Sequence, residues 1–191
     1  MVDTWYSVTG VWDGSNLRVY VNRSPGADVA FSGTLNTSSN SDKIGTYSTN
    51  THLLEGSVLN LGIWKNTALT AAQVQEIFGP YVGKRLIDLV DDFSGPDPTV
   101  YYKLDGEYDT FDGSTGNWTI NDSIGNRDAV SVGMNQSNLI QDDKGFVKSS
   151  VYGYSPYALD FDGVNDYLDA PQINLGSTNT ISFWINNSAI N

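Results

Sequence analysis

Hydrophobic and polar positions alternate in short runs along most of the chain. Leu17, Val19 and Val21 alternate with Arg18, Tyr20 and Asn22, the period of a half-buried strand. The same period recurs at Leu59, Leu61 and Ile63, at Val100, Tyr102 and Leu104, at Leu159 and Phe161, and at Ile181, Phe183 and Ile185. The segment Trp5 to Trp12 is rich in aromatic and β-branched residues. Asp13-Gly14-Ser15-Asn16 follows it and predicts a hairpin turn, because Gly and Asn tolerate positive φ. Polar stretches from Asn36 to Ser41 and from Ser48 to Thr51 read as loops. Many short strands joined by polar turns predict an all-β, antiparallel β-sandwich.

One segment breaks the pattern. Leu69 to Phe78 carries a capping box, with Thr70 as N-cap and Gln73 three residues on. Leu69 and Val74 stand at hydrophobic-staple positions, and Val74, Ile77 and Phe78 make one apolar stripe. Gly79-Pro80 stops this short helix, which needs a sheet to dock on. From 79 to 98 the texture changes again and ends in Asp91-Asp92-Phe93-Ser94-Gly95-Pro96-Asp97-Pro98, a linker signature. Leu86, Ile87, Leu89 and Val90 offer local docking contacts. The chain therefore divides into 1–78, a linker at 79–98, and 99–191.

Composition narrows the function classes. The net charge of −12 argues against nucleic acid and anionic membrane partners, which need clustered Lys and Arg. No apolar run approaches the ~20 residues that span a bilayer, and Met1 to Trp5 reads as neither a basic nor an apolar leader. Cysteine is absent, which removes disulfides, thiolate nucleophiles and Cys-based zinc sites. His52 is the only histidine and lies in a polar Thr-Asn-Thr context with no nucleophile elbow. The abundant carboxylates leave calcium as the candidate cofactor.

Two halves of the chain carry a resemblance. Trp5 to Asn22 and Gly56 to Thr70, followed by the capped helix, resemble the closing half of laminin-G-like, concanavalin A-like sandwich domains, and pentraxins look similar there. Val100 to Asp105 resembles the opening strand of the same family. Asn121-Asp122-Ser123-Ile124-Gly125-Asn126 resembles its Asp-Ser-x-Gly-Asn turn. Phe161-Asp162-Gly163-Val164-Asn165-Asp166-Tyr167 resembles its Phe-Asp-Gly-x-x-Asp-Tyr segment, and Thr180 to Ile185 the strand that follows. The closing half thus precedes the opening half, with about forty residues missing between Trp184 and Trp5, the scale of several strands of ~5–6 residues with their turns. Two arrangements satisfy this order: neighbouring pieces of a tandem array, which is the favoured one, or a permuted sandwich in which the halves complete each other. The resemblance implies a concanavalin A-like jelly roll.

Candidate site residues follow. Asp162, Asn165 and Asp166 are closely spaced oxygen donors suited to calcium, or alternatively acceptors of backbone N–H groups in a tight turn. The resemblance implies calcium at the sandwich rim, but Leu59 and Asn60 stand where many such domains carry acids. Asp105 to Gly113 is a second acidic cluster without the glycine and glutamate of an EF-hand. Trp118, Tyr152, Tyr154 and Tyr157 lie in loop-like context and are candidates for stacking on sugars, or else for core packing. The glutamates Glu55, Glu76 and Glu107 lie too far apart in sequence to act as a glycosidase pair, so no enzyme is expected. The expectation is a binding or adhesion module of an extracellular or virion-surface protein, of phage or bacterial style. Its partner would be a glycan, a surface protein, other copies of itself or virion neighbours. A structural capsid or tail protein, or an accessory domain of a polysaccharide-degrading enzyme, are the alternatives.

Overall fold

The computed structural model describes residues 4–31, 33, 39–47, 52–78, 87–141 and 157–187. Two antiparallel sheets face each other. The larger contains β1 (Trp5–Trp12), β2 (Asn16–Val21), β3 (Ser24–Pro25), β4 (Val29–Ala30), β6 (Glu55–Lys65), β7 (Val100–Tyr102), β11 (Leu139–Gln141), β12 (Tyr157–Asp162) and β14 (Asn179–Asn187). Its order is β11-β12-β6-β14-β1-β2-β3, with β7 on β6 and β4 on β2. The smaller runs β5 (Asp42–Ile44), β13 (Tyr167–Ala170), β10 (Ala129–Val132), β9 (Asn117–Ile120) and β8 (Thr110–Asp112).

Strands from the two ends of the chain interleave. β14 pairs with β1 from Trp5↔Asn186 to Trp12↔Asn179 on one side, and with β6 on the other. β12 and β7 share the far edge of β6. Strands of the two halves thus share one sheet.

The β1–β2 hairpin turns at Asp13–Asn16 as its composition dictates. Gly14 takes a φ of 94°, and the Asp13 carboxylate accepts the Ser15 and Asn16 amides. β6 departs from simple alternation. Asn60 sits at a φ of 57° in a bulge, so Leu59 opposes Trp184 while Gly62 opposes Ser182. Leu59 therefore joins Trp5, Ala158 and Trp184 on one face, and Leu61 and Ile63 join the inter-sheet core with Val100, Tyr102, Leu104, Leu159 and Phe161.

A third layer covers the other face of the larger sheet. The helix α1 (Ala71–Phe78) starts at Thr70, whose N–H donates to Gln73 Oε1 at 2.8 Å while the Gln73 N–H donates to Thr70 Oγ1 at 3.3 Å. Val74 and Ile77 pack with Val11, Tyr20 and Trp64, and Phe78 stacks on Trp184 at 5.4 Å. Ile87, Leu89 and Phe93 are buried in the same cluster. The part of the linker that is described is thus anchored: Phe93 meets Trp64 edge to face, and the Trp64 indole N–H donates to the Pro96 carbonyl. Leu86 lies outside the described residues.

β2 reverses the expected burial. Tyr20 is buried beneath α1, whereas Leu17, Val19 and Val21 are 43, 45 and 42 % exposed. Their alternation is real, but the polar-seeming face is the one that is covered.

Candidate functional site

The acidic turn motifs act as clamps on the backbone. Asp162 Oδ1 accepts the Val164 and Asn165 amides at 2.8 and 3.2 Å, closing the turn between β12 and β13. Asp166 is buried, and its Oδ2 accepts the Asp162 amide and the Asn138 side-chain amide, at 3.1 and 2.6 Å. One carboxylate oxygen each of Asp162 and Asp166, two of the donors expected to hold calcium, is thus engaged with N–H groups. No group of three or more His, Cys, Asp or Glu side chains suited to a metal ion occurs among the described residues. Asp122 does similar work, accepting the Tyr101 and Ile124 amides on Oδ1 and the Arg127 amide on Oδ2.

The aromatic candidates separate. Trp118 lies in β9 rather than in a loop, is buried, and donates its indole N–H to the Asn135 carbonyl at 2.9 Å. Its ring packs on Phe111, so it has no open face for a sugar. Tyr157 begins β12, pairs with Gln141 of β11, and is exposed. Tyr152 and Tyr154 lie outside the described residues.

A different set of residues builds a polar recess. Asp88, Val90, Asp91, Lys103, Tyr108, Asn121 and Ser123 line a cavity of about 320 Å³. These side chains come from a turn within the linker, the residue after β7, the loop that follows it, and the turn after β9. The Lys103 ammonium lies 2.9 Å from Asp88 and 4.0 Å from Glu107, and sits 5.3 Å from the centre of the Tyr108 ring. Burial opposes its charge, yet Asp88, Glu107 and Asp105 more than offset that, and its pKa is raised. Asp88 in turn accepts the Val90 and Asp91 amides. Tyr108 is 60 % exposed and offers a ring face at the mouth.

Beneath the recess the second acidic cluster is tied to backbone. Asp105 accepts the Glu107 amide, and Asp109 accepts the Gly106 and Asn121 amides. Burial raises the Asp105 carboxyl and pushes Asp109 up to about 6, despite those bonds. The arrangement presents one aromatic face, a paired ammonium, an amide, a hydroxyl and carboxylates around a small polar opening. Such a set hydrogen-bonds a polyhydroxylated ligand and stacks on its apolar face. Sequence reasoning missed it because its members lie up to 35 positions apart, 88 to 123. The one local signal is Lys103, a lone cation ahead of an acid-rich stretch.

Residues 1–75 match the family model of the Concanavalin A-like lectin/glucanases superfamily. The two antiparallel sheets and the helix α1 are consistent with a concanavalin A-like sandwich. No curated protein and no solved structure matches the chain. No helix among the described residues is long and apolar enough to cross a membrane.

Proposed function

We propose, for a chain whose first 75 residues carry the signature of concanavalin A-like lectins and glucanases, that it is a non-enzymatic binding module that recognises glycans on an extracellular or virion surface. The lectin-type fold supports a carbohydrate-binding or adhesion role at the coarse level, and fold alone does not choose the ligand. The observation that carries the finer reading is the polar recess with Tyr108 at its mouth. Binding rather than hydrolysis fits the carboxylates around it. Asp88, Asp105 and Asp109 each accept backbone N–H groups, and Asp88 also pairs with Lys103, contacts that fix the walls of a binding recess. Glu76 is likewise occupied, accepting from the Ser94 amide and hydroxyl at 2.6 Å.

A glycan array followed by titration calorimetry tests this. The expected result is binding to a defined glycan set, weakened at least tenfold by Tyr108→Ala and by Asn121→Ala, with the fold unchanged by circular dichroism. No binding on the array, or binding indifferent to both substitutions, would overturn the assignment to this recess.

A further inference from the structure

The polar recess carries more negative charge than its own ammonium cancels. Lys103 is the one basic side chain among the described residues that line it, and its ammonium is engaged twice, at 2.9 Å by Asp88 and at 4.0 Å by Glu107. Asp88 is buried and also accepts the Val90 and Asp91 amides. Asp91 differs from it. Asp91 is exposed, it lines the opening, and its carboxylate makes no hydrogen bond or ion pair among the described residues. Three carboxylates, those of Asp88, Asp91 and Glu107, thus stand against one ammonium around a cavity of about 320 Å³.

The aromatic group at the mouth favours the same sign. The face of a phenol ring is negative and attracts cations. The Lys103 ammonium already lies 5.3 Å from the centre of the Tyr108 ring, which is still 60 % exposed. A spare carboxylate and an open aromatic ring in one recess are the two groups that hold an ammonium. Asn121 and Ser123 add an amide and a hydroxyl for neutral sugar hydroxyls.

Resting on the reading of this recess as a glycan site, we propose that its ligand is a sugar carrying a free amino group, with the ammonium placed against the Asp91 carboxylate and the Tyr108 ring. The same charges reject sugars that carry a carboxylate or a sulfate, because a second anion would be desolvated against three carboxylates. N-acetylation removes the positive charge and keeps the sugar ring. The acetamido counterpart is therefore left with the stacking and hydroxyl contacts alone.

Titration calorimetry on the full chain tests this with three oligosaccharides of matched length, at a pH below the amine's pKa. They are a glucosamine oligomer, its N-acetylated counterpart and a glucuronic acid oligomer. The expected result is that the glucosamine oligomer binds about fivefold tighter than the acetamido one, and the uronate oligomer weakest. Raising the salt shrinks that preference. Asp91→Asn, with its fold checked by circular dichroism, brings the amine-to-acetamido ratio close to unity. Glu55→Gln removes an exposed carboxylate at the start of β6, outside the recess, and leaves the ratio at the parent value. That control separates a local site from general attraction of a cation to a chain of net charge −12. Equal affinities for the amine and acetamido oligomers, a preference for the uronate, or an amine preference that survives Asp91→Asn overturns the proposal. Equal binding of the amine and acetamido oligomers that Tyr108→Ala still weakens sinks the amine assignment and leaves the glycan site standing. A recess that binds no sugar at all removes both.

Discussion

Burial lifts the Asp109 carboxyl to about 6, although the Asn121 and Gly106 amides both donate to it. Desolvation outweighs the two bonds. A folded-state pKa above the ordinary carboxylate value means that the folded protein holds this proton more tightly than the unfolded chain does. The resulting stability is fully present below about pH 4 and is lost as the pH rises through about 6. Melting temperatures of the parent chain and Asp109→Asn, measured from pH 4 to 7, give the contribution by difference. The parent should gain several degrees on the variant as the pH falls from 7 to 4. A difference that stays flat with pH would show that water reaches Asp109 and that its loop opens in solution.

The helix shows which elements are legible in a sequence and why. Thr70, Gln73, Val74, Ile77 and Phe78 are each assigned by local spacing, and all five make the contacts that spacing implies. A cap is satisfied within its own turn, so nothing distant can override it. Thr70→Ala removes an acceptor for the Gln73 N–H and should cost ~1 kcal/mol. For a chain of this size that lowers the melting midpoint by ~2–4 °C, while Thr70→Ser keeps the bond and stays near the parent. An unchanged midpoint for Thr70→Ala would mean that the docked face alone holds the helix. The strands are legible in part. Alternation locates β2 and β6 but is silent on which face another layer covers. Tyr20 is buried and Val19 exposed because α1 docks on one side and the smaller sheet stops short on the other. Neither fact resides in residues 16–21. The bulge at Asn60 has the same origin. Its side-chain amide donates to the Ile87 carbonyl and its carbonyl accepts from the Tyr101 hydroxyl, so partners 27 and 41 residues away hold it at positive φ. The polar recess is illegible for the same reason, while Asp162 could be read as a turn acceptor, because its partners Val164 and Asn165 are two and three residues away.

At the scale of the whole molecule, β14 ties strands from the two ends of the chain together. It is bonded along its length to β1 on one edge and to β6 on the other, so the last described strand sits between two strands from the first 65 residues. Removing it would leave Val8 and Ile63 on separate sheets and would uncover Trp184, which packs with Trp5 and Leu59 and stacks on Phe78. β7 and β12 are tied to β6 in the same way, so each described strand of 99–191 in the larger sheet is held directly or through one neighbour by a strand of 1–78. Contacts of such large sequence separation form and break together, since each strand's edge bonds have no partner until the other half arrives. Heating should therefore give one cooperative transition, with equal calorimetric and van't Hoff enthalpies, observed alike by tryptophan fluorescence and far-ultraviolet circular dichroism. Separately expressed 1–78 and 99–191 should each fail to melt cooperatively, and mixing them should restore the transition. Two independent transitions in the intact chain would sink the single-sheet account. They would show that each half is completed by something else, and that β14 leaves β1 and β6 when offered another partner.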